Sequence, residues 1–157
     1  MDVEIFAGSV SDRELVKEAA SVLKELGIKY KIRIISAHRN PEILMQEVKG
    51  SDAKVFIAIA GMSAALPGFV ASLTRKPVIG VPVSGKVPYD SILSMVQLPK
   101  GVPVAVVGAD NAKNGALLAA RILALFNEEI DKNLERYIEN ERKKSLEDGK
   151  KVEEELV

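Results

Sequence analysis

The sequence has no cysteine, no tryptophan and only one histidine, and its charges balance. Its 157 residues include 22 Lys plus Arg and 22 Asp plus Glu. Without cysteine there are no disulfides, thiolate nucleophiles or thiolate metal sites, and a single histidine argues against a zinc site. The balanced charge gives no support to a nucleic-acid or membrane-surface role, so we expect neither as a partner.

Long apolar runs are also missing. Glycine, proline or charge interrupts each apolar stretch well before the roughly 20 residues that a membrane-spanning helix needs. Residues 1–7 lack the basic and then apolar segments of a signal peptide. A chain of this length that is 47% hydrophobic has enough apolar material for one domain with a substantial core. We therefore expect a soluble, cytoplasmic protein.

Short runs of β-branched residues alternate with longer amphipathic runs, as in βα units around a parallel sheet. Predicted helices cover residues 12–26, with Asp12 as N-cap, and residues 41–50, 63–73 and 111–126. This order predicts a three-layer α/β/α sandwich, flavodoxin-like or Rossmann-like, around a central parallel sheet of about five strands. The predicted strands, each buried on both faces, are residues 3–7, 31–35, 55–60, 77–81 and 102–106.

The chain becomes highly charged from residue 128, yet Ile130, Leu134, Tyr137 and Ile138 continue a helical stripe to about residue 142. We predict an α/β catalytic domain at residues 1–127, followed by a long C-terminal helix and charged tail at 128–157. The second segment is part of the same domain or docks on a neighbouring subunit. Residues 143–157 have few apolar anchors, so we expect a solvated or frayed tail.

The loop after the first predicted strand suits a phosphate. Ligands of open parallel sheets gather at the carboxyl ends of the strands. Residues 8–12 read Gly-Ser-Val-Ser-Asp and offer hydroxyl groups next to the N–H groups of a helix. Ser11 and Asp12 suit a helix cap equally well. The glycine fingerprint of dinucleotide sites and the P-loop ending are both absent.

The loop after the second predicted strand reads Ser-Ala-His-Arg-Asn-Pro at residues 36–41. Arg39 can form a bidentate pair with phosphate, and His38 is the side chain that titrates closest to neutrality. A lone histidine is usually structural and a lone arginine usually solvated, but both follow a strand here. We predict that His38 transfers a proton beside a phosphate held by Arg39.

The loop after the third predicted strand, residues 60–68, is almost free of bulky side chains. Small side chains allow a flat ligand to approach the backbone closely. The alternative is that this segment is the tightly packed start of a helix. Residues 82–90 are a candidate lid, in which Lys86 is expected to be a solvated charge. Residues 108–115 lead into a helix, and capping is their expected role.

These loops resemble the PurE family, which carboxylates aminoimidazole ribonucleotide in purine biosynthesis. Residues 8–12 are similar to its Gly-Ser-x-Ser-Asp loop, residues 36–41 to Ser-Ala-His-Arg-x-Pro, and residues 60–68 to a small-residue loop ending in Leu-Pro-Gly. Residues 96–104 and 114–120 also look like family segments. The resemblance extends from residue 3 to about residue 142.

The resemblance implies a role for each motif. Ser9, Ser11 and Arg39 would hold the ribose phosphate, Asp12 would bind the ribose hydroxyls, and His38 would be the acid–base group. It also implies a homo-octamer with active sites shared between subunits. No metal or organic cofactor is implied, because the electron-rich aminoimidazole is itself the nucleophile. The remaining expected substrate contacts are Ser36, Ala37, Ala60, Gly61, Ser63, Ala64, Ala65 and Leu66.

The third loop combines features of the two classes of the PurE family. The mutase class, which acts on 5-(carboxyamino)imidazole ribonucleotide, has histidine immediately before Leu-Pro-Gly, where this chain has Ala65. The class that uses free CO2 has a Ser-containing loop without that histidine, as here, but Arg39 and Pro67 resemble the mutase class. We expect the mutase, with the CO2-dependent carboxylase as the alternative. Two further alternatives are a domain that carboxylates another nucleotide and a non-catalytic nucleotide- or flavin-binding module.

Overall fold

The computed structural model describes residues 1–156, except for the side chain of Pro88. Five parallel strands form one sheet in the order β2-β1-β3-β4-β5. This confirms the predicted fold class. The strands are β1 (Val3–Ala7), β2 (Tyr30–Ile34), β3 (Val55–Ala60), β4 (Val78–Pro82) and β5 (Ala105–Val106).

Helices cover both faces of the sheet. A short 3-10 helix, Val10–Asp12, precedes the first of them. On one face, α1, α5 and α6 pack on residues such as Ile5 and Ile57, and on the other, α2, α3 and α4 pack around Phe6 and Phe56. The helices are α1 (Arg13–Glu25), α2 (Pro41–Gly50), α3 (Ala65–Leu73), α4 (Pro88–Val96), α5 (Ala112–Ala124) and α6 (Glu128–Glu155).

The three inner strands explain why the sequence shows continuous apolar runs. Side chains alternate between the faces of a strand, so a strand covered on both faces needs apolar residues at every position. All residues of β1, β3 and β4 are buried. The helix α5 approaches β4 closely, because a Cβ atom on Gly115 would lie 2.9 Å from Cγ2 of Val81.

The prediction that all five strands are buried on both faces is wrong for β2 and β5. The strand β2 lies at the edge of the sheet, where Ile32 and Ile34 are exposed. The strand β5 has only two residues, at the opposite edge, because only residues 105 and 106 of the predicted 102–106 pair with β4. An edge strand has a neighbour on one side only, so apolar content alone does not fix its burial.

Two local predictions also need correction. Residues 88–96, partly assigned to a candidate lid, form α4. Asp12 makes no side-chain cap on α1, and Ser9 instead caps the preceding 3-10 helix. The terminal helix continues to Glu155 with residues 139–156 exposed, so of the two predicted forms of the tail the structure shows the solvated one. Val157, the last residue of the predicted tail, lies outside the described residues.

Among residues 1–156, no helix is both long enough and apolar enough to cross a bilayer.

Candidate active site

The loops after β1, β2 and β3 begin side by side, because these strands are neighbours in the sheet. The N–H of Ile35 donates to the carbonyl of Ala7 at 2.9 Å, and the N–H of Gly8 donates to the carbonyl of Ile59 at 3.1 Å. These bonds continue the pairing of the strands one residue into each loop. The sheet therefore brings the three predicted loops to one edge, as expected for parallel strands.

A compact hydroxyl cluster forms the first loop. Oγ of Ser9 accepts hydrogen bonds from the N–H of Ser11 at 3.2 Å and from its hydroxyl at 2.9 Å. The Ser11 hydroxyl also lies 3.1 Å from Oδ1 of Asp12. Because one hydroxyl has one hydrogen, Ser11 donates to only one of these acceptors at a time. Ser9 accepts in both of its bonds, so the hydrogen of its own hydroxyl can donate to an incoming anion.

Asp12 is buried at the base of this cluster, and its N–H donates to the carbonyl of Ser9 at 3.2 Å. Burial raises the pKa of the Asp12 carboxyl above its ordinary value, and the hydrogen bond from Ser11 opposes this shift. The carboxyl makes no capping hydrogen bond to α1, and its bond from the Ser11 hydroxyl joins it to the cluster instead.

The second loop is a tight turn that presents two side chains to solvent. The N–H of Asn40 donates to the carbonyl of Ser36 at 2.9 Å and closes the turn. His38 and Arg39 lie at its exposed tip. Within residues 1–156, neither the imidazole nor the guanidinium has a hydrogen-bonding or ion-pairing partner. Both groups are therefore available to a ligand.

The third loop has an unusual backbone. Met62 and Ser63 adopt left-handed conformations with φ of +37° and +57°. The N–H of Ser63 donates to the carboxylate of Asp90, which reaches across from α4. Ala64 and Leu66 are buried below the loop, and α3 begins at Ala65 without a side-chain cap. These contacts hold the loop in place, and α3 follows it directly.

Two further loops support the third. The N–H of Val83 donates to the carbonyl of Ala60 at 2.9 Å. The N–H of Ser84 donates to Oδ1 of Asp110 at 2.9 Å. Asn111 caps α5 by accepting from the N–H of Asn114 at 3.1 Å, in agreement with the predicted capping role. Lys86 is exposed.

The structure thus places the predicted site residues at the end of β3, in the three adjacent loops with the short 3-10 helix, or at the start of α3. It adds Asp90 and Asp110, which the sequence analysis missed. Aspartate near a helix start usually indicates capping, and only the fold shows that these two carboxylates reach a different loop. Within residues 1–156, no three His, Asp or Glu side chains are grouped so that they could hold a metal ion.

Residues 2–144 match the family model described as AIR carboxylase. The chain belongs to this family. The prediction of PurE-family membership is therefore confirmed, and the three loops are the loops of a family member. An N5-carboxyaminoimidazole ribonucleotide mutase of Methanocaldococcus jannaschii is 51% identical over 151 residues, which cover 96% of each chain. A second protein of that name, from Pyrococcus horikoshii, is 50% identical over 157 residues, covering 97% of this chain and 89% of the relative.

A solved structure of a family member has the same fold. The crystal structure of Treponema denticola PurE superposes with a TM-score of 0.83 at 38% sequence identity. The superposition covers 96% of this chain and 97% of the other.

Proposed function

We propose that this protein is a 5-(carboxyamino)imidazole ribonucleotide mutase of de novo purine biosynthesis. It would move the carboxylate of its substrate from the exocyclic nitrogen to C4 of the imidazole. The proposal is supported by the neighbouring starts of the loops that carry Ser9, Ser11, His38 and Arg39, in a chain half identical to proteins of that name.

Substrate binding is divided among the loops. The guanidinium of Arg39 and the hydroxyls of Ser9 and Ser11 would bind the ribose phosphate, for which bidentate, charge-assisted hydrogen bonds are well suited. The buried carboxylate of Asp12 would accept hydrogen bonds from the ribose hydroxyls. The turn at Ser36 and Ala37 would lie along the sugar and the ring.

Two proton transfers by His38 would complete the reaction. As the N–CO2 bond breaks, its electron pair stays on nitrogen, which takes a proton from the imidazolium of His38. The CO2 released remains in the pocket, and the electron-rich C4 attacks it to form the C–C bond. The neutral imidazole then removes the proton from C4, which restores the aromatic ring and the imidazolium. The enzyme and the atom count are unchanged, so no cofactor is required.

Retention of CO2 requires a small, dry recess. The third loop would supply it. Its residues Ala60, Ala64 and Leu66 are buried away from water. Gly61 has no side chain and Ala65 has only a methyl group, which leaves room for a small molecule. The N–H groups at the start of α3 would stabilise the carboxylate as it forms, since a helix N-terminus attracts anions.

A CO2-dependent carboxylase acting on 5-aminoimidazole ribonucleotide is the second candidate. One observation favours it, namely Ala65 at the position where the mutase class has histidine. An assay of the purified protein with each substrate separates the two. We expect turnover of 5-(carboxyamino)imidazole ribonucleotide. Turnover of 5-aminoimidazole ribonucleotide with bicarbonate alone, without turnover of the carbamate, would replace our proposal with the carboxylase.

The proposal also includes the oligomeric state and the cellular location of the protein. We propose a cytoplasmic homo-octamer in which residues 1–127 form the catalytic unit. Residues 128–157 would either complete that unit or dock on a neighbour. Tyr89, Leu93 and Val96 support the assembly, because they expose one apolar face of α4 to solvent. Ile130 and Leu134 support attachment of the first turns of α6 to the unit, because both are buried in its core.

A further inference from the structure

The carboxylate of Asp90 connects α4 to the third loop. Asp90 lies in the first turn of α4, and its Oδ2 accepts the N–H of Ser63. An acidic side chain in the first turn of a helix interacts favourably with the helix dipole, which favours Asp90 at this position. The contact joins two segments 27 residues apart in sequence, so it fixes the loop relative to the body of the protein.

The backbone held by Asp90 is one that non-glycine residues avoid. Met62 and Ser63 are consecutive and both have positive φ, which is tolerated only where the surroundings enforce it. The start of the loop is fixed by the bond between Val83 and Ala60, and its turn is closed by the N–H of Ala64 donating to the carbonyl of Gly61 at 3.2 Å. The bond from Ser63 to Asp90 holds the second left-handed residue.

This bond occupies one backbone donor of the third loop. Asp90 engages the N–H of Ser63, while the N-terminus of α3, two residues later, has no side-chain cap. We infer that Asp90 is a positioning residue that holds the third loop in its left-handed form and so aims the N-terminus of α3 at the migrating carboxylate. The inference deepens the proposed function and rests on it.

The inferred role predicts a specific kinetic effect. The groups proposed to bind phosphate lie on the other two loops, so loss of the Asp90 bond leaves most substrate affinity intact. Loss of the bond would instead disorder the third loop, which is proposed to form the recess for CO2 and the site for the migrating carboxylate. Asp90→Ala is therefore expected to lower kcat by about 10- to 100-fold, the range for loss of a hydrogen bond to a charged group, with little change in KM.

Three further variants separate positioning from general support of the fold. Asp90→Asn retains an acceptor oxygen in place and should lose less than about tenfold. Asp90→Glu retains the charge but displaces the oxygen by one methylene, so it should behave like Asp90→Ala. Adding Ser63→Gly to Asp90→Ala should restore part of kcat, because glycine adopts positive φ without steric cost. Asp131→Ala is the control, since Asp131 is an exposed acidic residue in the first turn of α6.

Hydrogen exchange of the peptide containing residues 61–66 supplies a readout independent of activity. We expect faster exchange in Asp90→Ala and Asp90→Glu, and exchange close to the parent protein in Asp90→Asn and Asp131→Ala. Unchanged kcat in both Asp90→Ala and Asp90→Glu would overturn the inference, as would unchanged exchange in both. If Asp90→Ala fails to fold, Asp90→Glu decides alone.

The two proposals fail in different ways. If the parent protein turns over neither imidazole ribonucleotide, the proposed function is wrong and the catalytic part of the inference falls with it. The exchange measurement still decides whether Asp90 holds the loop. If the parent protein is active and both Asp90→Ala and Asp90→Glu have the parent kcat and exchange, only the inference is wrong.

Discussion

His38 and Asp12 lie in neighbouring loops but in opposite surroundings. The imidazole is at the exposed tip of a turn, where a substrate can cover it. The carboxyl of Asp12 is buried, and burial raises its pKa. A buried, ionised carboxylate destabilises a fold unless it is well compensated, and such a cost is typical of residues retained for binding.

The substitution Asp12→Asn tests this cost. Since the folded pKa is raised, the folded protein binds this proton more tightly than the unfolded chain does. The associated stability is fully present below the ordinary value of 3.8 and is lost as the pH rises through the folded pKa. We therefore expect Asp12→Asn to raise the free energy of unfolding at pH 7, and to raise it less at pH 3, as measured by urea denaturation.

Asp52→Asn is the matched control. A hydrogen bond from the N-terminal ammonium group, at 3.0 Å, lowers the pKa of the exposed Asp52 carboxyl. Its stability contribution is present above the ordinary pKa, so this substitution should slightly lower stability at pH 7. A stability loss at pH 7 in Asp12→Asn as well would contradict the account of Asp12.

At the scale of elements, a group of charges ties β2 and α2 to β1. Glu4 is fully buried in β1, and Lys31 of β2 lies 3.3 Å from one of its oxygens. The hydroxyl of Ser51 donates to its other oxygen. Arg33 and Lys31 also pair with Glu47 of α2, at 2.8 and 3.1 Å. These pairs anchor the edge strand and the helix on both sides of the loop that presents His38.

Removal of Lys31 tests how much this cluster of charges contributes to the free energy of unfolding. In Lys31→Met the buried carboxylate of Glu4 loses its nearest cation, while Ser51 remains. Since Lys31 is partly exposed, we expect a loss of about 2 kcal/mol in the free energy of unfolding, below the range for a fully buried pair. Lys54→Met, in an exposed pair with Asp2, should change it by less than about 0.5 kcal/mol. If denaturant unfolding gives the same loss of stability for Lys31→Met and Lys54→Met, the distinction between the buried and the exposed ion pair is wrong.

The contact between α5 and β4 gives a second test at this scale. A valine at position 115 would meet Val81, because Cβ alone would come within 2.9 Å of it. Overpacking of a core typically costs about 1–3 kcal/mol, so we expect Gly115→Val to lower the free energy of unfolding by that amount. Gly149→Val in α6, where nothing lies within 4 Å of the added Cβ, is the control and should not destabilise the protein. Equal stability of the two variants would contradict the observed packing.

The sequence predicted the inner elements better than the outer ones for a physical reason. The strands β1 and β3 match the predicted residues because burial on both faces requires an unbroken apolar run. The helix α4 was missed because Pro88 and the polar residues before it resemble a loop, and the helix has only nine residues. The pairs of Glu4 join residues far apart in sequence, which no local pattern reveals.

Like the fold, the candidate site could be predicted only in part from the sequence. The loops of Ser9 and His38 follow strands directly, so a parallel sheet alone brings them together. The left-handed conformations of Met62 and Ser63 were not predictable, because neither residue is a glycine. They depend on Asp90 and on the loop after β4, and therefore on the complete tertiary structure.

At the scale of the whole molecule, the proposed octamer is tested by mass. Light scattering during size-exclusion chromatography should give a mass close to eight times that of the 17.0 kDa chain. Substitution of exposed apolar residues on α4, such as Leu93→Glu, should reduce it, because charge at a buried interface is costly. Arg121→Glu, an exposed change on α5, is the control. A parent mass of one chain would contradict the proposed assembly.

The central claim is that His38 carries both protons of a carboxylate transfer. The most direct measurement compares the His38→Asn variant with the parent protein, in turnover of 5-(carboxyamino)imidazole ribonucleotide and in calorimetric binding of the C4-carboxylated product. General acid–base catalysis typically contributes about 100- to 10,000-fold, so we predict a kcat loss of that size with product affinity retained. Nearly full turnover in the variant would contradict the claim, because the proton would then travel by a route without His38.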